Sequence, residues 1–174
     1  MGKFLAILLL GCAVLAGGGM YYLQVHAFYE RIEGNGRDDV VLTLAGGDAV
    51  TAIPYRGFEA IDSDSSPIRY RACFTTGLAP EEMAATYAPY PRAVPLNAPR
   101  WFSCFDAREI GAALSEGRAQ AFMGQENFRY GIDRVVAIMP DGRGFVWHQI
   151  NRCGAQVFDG RPVPEGCPAP PERE

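Results

Sequence analysis

Hydrophobic positions fall along this chain in three regimes, and each predicts a different kind of element. The first regime is continuous. No charged residue occurs from Phe4 to Tyr29, and Lys3 stands directly before that run. About 20 mostly apolar helical residues cross a bilayer core of roughly 30 Å, and Phe4 to Leu23 supplies that length. Tyr21, Tyr22, Phe28 and Tyr29 follow where interfacial aromatics collect. The pattern predicts a membrane anchor over residues 1–29, with Lys3 and the amino terminus cytoplasmic and the remainder outside. Two alternatives compete. Leu9-Leu10-Gly11-Cys12 has the form of a lipoprotein cleavage box, and the small residues from Ala13 to Gly19 suit a cleaved signal peptide. The chain stays uncharged beyond Gly19, which favours the anchor.

The second regime alternates with period two, as half-buried strands do. Val40 to Leu44 and Ala49 to Ile53 read as strands around a Gly46-Gly47-Asp48 turn, and Phe58 to Ile61 as a short extended piece. From Ile68 to Phe74, the side chains of Ile68, Tyr70, Ala72 and Phe74 share one side. Arg69, Arg71 and Cys73 share the other, which reads as a solvated face. Three further strands are expected at Arg118 to Met123, Ile132 to Met139 and Phe145 to Ile150. The middle one is apolar on both faces and therefore central. Pro140 to Gly144 forms a hairpin loop, and Ala155 to Phe158 reads as an added edge.

The third regime is helical. Ala107, Ile110, Ala113 and Leu114 form a narrow apolar face over Asp106 to Glu116, with Asp106 and Glu109 as a capping-box pair and Gly117 at the stop. Pro80 to Tyr87 is a shorter helix, with Pro80 in its first turn and Glu81 and Glu82 at the positive dipole end. Between the helices, Pro89, Pro91, Pro95 and Pro99 interleave with Tyr87, Tyr90, Trp101 and Phe102. That stretch is either a peptide-binding surface or a loop pinned over the core by its own rings, and the second reading is the more economical.

The elements assemble into an α+β class. An N-terminal transmembrane helix precedes a mainly antiparallel sheet with two helices packed on one face, all stapled by disulfides. Residues 30–39 read as a juxtamembrane linker, 40–160 as the folded domain and 161–174 as a proline-rich tail.

Charge narrows the partners. The 174 residues carry a formal net charge of -4, and the basic residues are scattered. Neither a nucleic-acid footprint nor a polybasic segment beside the anchor is present. The expected partners are the lipid bilayer, through one helix, and a membrane protein complex.

Of five cysteines, Cys12 lies in the anchor. The even set Cys73, Cys104, Cys153 and Cys167 lies outside it, where an oxidising compartment makes disulfides the natural reading. Three pairings are possible. Cys153–Cys167 is favoured because it closes a short loop and ties the tail to the last strand, which leaves Cys73–Cys104. No CxxC occurs and no His stands at zinc spacing, so neither metal nor cofactor is expected.

Candidate chemistry is sparse. Asp62-Ser63-Asp64-Ser65-Ser66 is oxygen-rich, but the EF-hand pattern fails at Pro67 and Cys73; a plain turn fits better. Arg69 and Arg71 could clamp a carboxylate or phosphate. His148 reads as a core histidine. A Cys153–His148 dyad is void if Cys153 is oxidised. No hydrolase elbow, zincin helix, Walker loop, Rossmann fingerprint or kinase nucleotide loop is found, and no catalytic residue is assigned.

Several segments carry a family likeness: Met20 to Val25, Ala27 to Glu30, Ala60 to Pro67, Arg71 to Thr75, Tyr130 to Ala137 and Trp147 to Asn151. Together they resemble a family of single-pass membrane proteins of alphaproteobacteria, classed as a domain of unknown function. The resemblance spans nearly the whole chain. It implies a bacterial inner-membrane setting with the C-terminal domain in the periplasm, and it brings no activity or site residue. Two functions are then expected in order. The first is a non-catalytic, membrane-anchored periplasmic binding or accessory module. The second is a small hydrolase or anionic-ligand-binding enzyme in which Asp62, Asp64, Arg69 and Arg71 converge on one recess.

Overall fold

The computed structural model describes residues 2–171. Helix α1 (Gly2–Tyr22) buries none of its side chains and continues through one π-helical turn, Leu23–Ala27. Phe28 and Tyr29 alone then separate it from strand β1 (Glu30–Ile32). The stretch expected as a linker therefore begins as a strand. Ten more strands and helices follow: β2 (Val41–Thr43), β3 (Val50–Ala52), β4 (Arg56–Asp62), β5 (Arg71–Thr75), α2 (Pro80–Thr86), α3 (Ala107–Ser115), β6 (Gln120–Arg129), β7 (Ile132–Ile138), β8 (Arg143–Ile150) and α4 (Arg152–Val157).

Six strands form an antiparallel sheet in the order β1-β4-β5-β8-β7-β6, and β2 pairs with β3 in a separate ribbon. The antiparallel expectation holds, and β7 is interior. Strand β6 runs longer than its alternating segment because register shifts beyond Met123 absorb extra residues. Its outer edge is occupied: Tyr90 N–H donates to Ala121 O at 2.8 Å, and Met123 N–H donates to Ala88 O at 2.9 Å.

Alternate residues of the same strands build two cores. Ala72, Phe74, Val136, Ile138 and Val146 face β2 and Met83 of α2. Cys73, Val135, Ala137, Phe145 and Trp147 face Ile110 and Ala113 of α3, with Phe102 and Phe105 from the proline-rich stretch. The two helices thus lie on opposite faces, where one shared face was expected. The physical reason is that β7 and β8 are apolar on both sides and each side requires cover. The proline-rich stretch is a loop pinned by its own rings.

Both favoured disulfides form, Cys73–Cys104 and Cys153–Cys167, with Cα separations of 6.2 and 5.7 Å. The second ties the tail to α4 rather than to the last strand. Residues Ala155 to Phe158 do not extend the sheet, because Asn151 starts a helix: its side-chain oxygen accepts from Cys153 and Gly154 N–H at 2.9 and 3.0 Å. At α3, Asp106 caps Arg108 and Glu109 N–H as expected. Glu109 does not complete the box; its carboxylate accepts from Arg143 at 2.8 Å.

Candidate functional site

The Asp/Ser loop closes β4. Asp62 accepts from Ser63 N–H at 2.8 Å, and the hydroxyls of Ser63 and Ser65 meet at 2.8 Å. These are the local bonds of a turn. Asp62 and Asp64 line a recess of about 220 Å³ with Phe28 and Glu30, beside the end of the α1 run. Burial pushes the Asp62 carboxyl up; the Ser63 N–H and the charges of Arg129 and Arg134 pull it back.

Arg71 is occupied elsewhere. It is 4 % exposed, although its face of the strand was expected to be solvated. The reason is that α3 and the proline-rich loop cover that face. Its Nε donates to Leu96 O at 2.8 Å, Nη2 to Asn97 O at 3.1 Å, and Nη1 to Ile68 O and Tyr70 O at 2.9 and 2.6 Å. Its guanidinium also lies over Phe105. Burial lowers its pKa to about 10, which leaves it a cation at neutral pH. Arg71 is thus a strut between sheet and loop. Arg69 lies over the Tyr29 ring, 5.5 Å from its centroid. Among the described residues, no hydrogen bond joins either arginine to Asp62 or Asp64, and the recess lined by the two aspartates includes neither arginine.

Sequence reasoning missed one buried polar group and the partners of a second, whose histidine it read correctly as a core residue. The first centres on Asp133 of β7, which is 3 % exposed. Its carboxylate accepts from Tyr90 Oη at 3.1 Å, Asn127 N–H at 2.9 Å and Asn151 Nδ2 at 2.8 Å. Burial and the Asp133 charge together hold the Tyr90 phenol well above its ordinary range. Asn127, at φ 44°, returns its side-chain oxygen to Gly131 N–H and Asn151. One carboxylate thereby fixes the proline loop, the β6–β7 turn and the cap of α4. The groove beside it, about 490 Å³, runs along Tyr90, Arg92, Gln149 and Arg152. Gln149 spans its edge, accepting from Val94 N–H at 2.7 Å and donating to Arg92 O at 2.8 Å.

The second is the set around His148. Its ring is stacked between Tyr70 and Phe128, at centroid distances of 4.8 and 4.1 Å. Nδ1 donates to Pro67 O at 2.9 Å and Nε2 accepts from Arg134 Nε at 3.2 Å. The Arg134 guanidinium lies over both flanking rings. A signal for both groups was present in the sequence: Asp133 and Arg134 are the charged pair in an otherwise apolar run, Ile132 to Met139. An ionisable residue there needs a partner.

Among the described residues, every buried side-chain nitrogen and oxygen has a hydrogen-bond partner within the protein. The arrangement binds loops to the sheet. Residues 40–168 match the family of unknown function DUF6446. The match begins at Val40, the first core residue, and closes after Cys167, so α1 and β1 lie outside it. No curated protein and no solved structure matches the chain.

Proposed function

From the premise that this chain belongs to the DUF6446 family of unknown function, we propose a membrane-anchored binding or accessory module. Residues 1–29 hold it in the bacterial inner membrane, and the folded body stands in the periplasm. It is non-catalytic and helps hold or assemble a membrane protein complex.

The observation that carries this reading is the junction between helix and sheet. Only Phe28 and Tyr29 separate the helical run from β1, and Trp101 of the proline-rich loop donates to Val25 O at 2.6 Å. His26 and Tyr29 pack their rings against the same indole. A body joined this stiffly to its anchor suits a partner fixed in the same membrane better than a diffusing substrate. Two disulfides suit an oxidising compartment. The buried side chains of Arg71, Asp133 and His148 hold loops to the sheet.

Crosslinking in intact cells, followed by mass spectrometry, tests the proposal. The expected result is a constant membrane-protein partner, recovered again on gentle detergent extraction. A lone monomer in both experiments would overturn it.

A further inference from the structure

The fold gathers at the anchor's exit a pair of arginines that lie far apart in the sequence. Arg31 follows α1 directly on β1, and Arg69 precedes β5. Arg31 lies over the Trp101 ring at 5.8 Å and Arg69 over the Tyr29 ring at 5.5 Å; the two rings are 6.1 Å apart, edge to face. Among the described residues, neither guanidinium has a carboxylate within ion-pair distance. Two of the nearby acids, Glu30 and Asp62, lie on the other side of the sheet; Glu59 shares the face of Arg31 but, among the described residues, makes no ion pair with it. Glu30 pairs with Asp62 and Arg31 with Ile61, so strand alternation turns Glu30 and Asp62 away from Arg31.

Depth is set by the helix. Twenty residues from Phe4 to Leu23 rise about 30 Å, the thickness of the hydrocarbon core. Val25 then lies within the headgroup layer, and the Trp101 indole bonds to its carbonyl. Guanidinium groups on aromatic faces at that depth are placed for phosphate, whose oxygens match the guanidinium fork.

We propose that Arg31 and Arg69 bind the headgroup phosphate of a phospholipid in the leaflet from which the body emerges. The inference rests on the anchor reading above and adds a headgroup site to it. The lipid phosphate bridges the two cations, while Trp101 and Tyr29 hold them over the bilayer surface.

Native mass spectrometry of the full chain in detergent tests this, with added phosphatidylglycerol, diacylglycerol or inorganic phosphate as probes. Wild type should retain phosphatidylglycerol and lose diacylglycerol. Each substitution, Arg31→Gln or Arg69→Gln, should weaken retention about five-fold, and the pair about 25-fold. Arg118→Gln, on a distant exposed arginine, should match wild type. Equal retention by wild type and the double variant overturns the proposal, as does equal retention of diacylglycerol. Inorganic phosphate held as well as the lipid would also overturn it. Carbonate extraction of cell membranes separates the two readings: a chain released as soluble protein refutes the anchor, whereas an integral chain with unchanged lipid retention refutes only the arginine site.

Discussion

Acid weakens this fold before its carboxylates titrate, and His148 sets by how much. The ring is 2 % exposed and can take a proton on Nε2 only by losing the bond from Arg134. Burial, then the Arg134 charge, with smaller contributions from Arg71 and Arg129, lower its pKa to about 3; the bond to Pro67 O works the other way. In the unfolded chain the ring titrates near 6.5. Above that pH both states are neutral and the ring adds no pH dependence. Below it the unfolded chain binds a proton that the folded chain refuses, so stability falls as pH drops from about 6.5 towards about 3. Linkage makes the loss ~1.4 kcal/mol per pH unit across that window. About 2 kcal/mol is gone at pH 5, and about 4–5 kcal/mol at its lower end.

The assay is urea unfolding of the oxidised full chain in detergent micelles at pH 7.5 and 5.0, read from the fluorescence of buried Trp147. His148→Phe keeps an aromatic ring between Tyr70 and Phe128 and removes the proton site. It should cost about 1–3 kcal/mol at pH 7.5, because Pro67 O and Arg134 lose a partner. Its loss between the two pH values should be smaller than that of wild type by about 2 kcal/mol. The same pH difference in both proteins would refute the reasoning.

Further substitutions probe the other buried groups. Arg71→Met should destabilise by about 2–3 kcal/mol through four lost charge-assisted bonds, partly offset by relief of a buried charge; limited proteolysis should cut residues 91–97 several-fold faster. Arg71→Lys should recover less than half of that, since one ammonium cannot serve four carbonyls in a planar fork. Replacing Cys153 and Cys167 by Ser should cost about 3 kcal/mol in the chain-entropy account, seen as a lower urea midpoint. Non-reducing peptide mapping should recover Cys73–Cys104 and Cys153–Cys167 as linked pairs. Gly154→Ala should lower the melting temperature by about 5–10 °C, because the new methyl would collide with the Gly131 backbone.

What could be read in advance depended on whether a pattern was local. The apolar run of α1, the Asp106 cap and the Asp141-Gly142 hairpin are local, and each emerges near its expected place. The cysteine pairs were legible because parity and loop length leave few choices. Cover was not local. Alternation placed Arg71 opposite Tyr70 and Ala72 correctly, but it could not say that loop carbonyls from Leu96 and Asn97 would close over it. Nothing periodic marks such a loop. The same blindness put both helices on one face. Asn151 carried the signal for α4, but a short β-branched and aromatic stretch ending in Val157 and Phe158 outweighed it. The Asp62, Asp64, Arg69 and Arg71 set was inferred from neighbourhood in sequence. In the fold, strand alternation and a buried guanidinium send its members to different surroundings.

The covered edge of β6 bears on how this chain survives before it is fully folded. A bare sheet edge is a template for another chain, and exposed edges seed aggregation. Here residues 88–90 lie along β6, and Pro89 within that strip has no N–H to offer a further strand. The opposite edge, β1, is only three residues long, too short to recruit a stable neighbour. The six-stranded sheet is thus terminated at both ends. A nascent copy meeting a folded one finds only a short ladder to extend, which lowers the risk of fibre growth from this sheet where many copies crowd one surface.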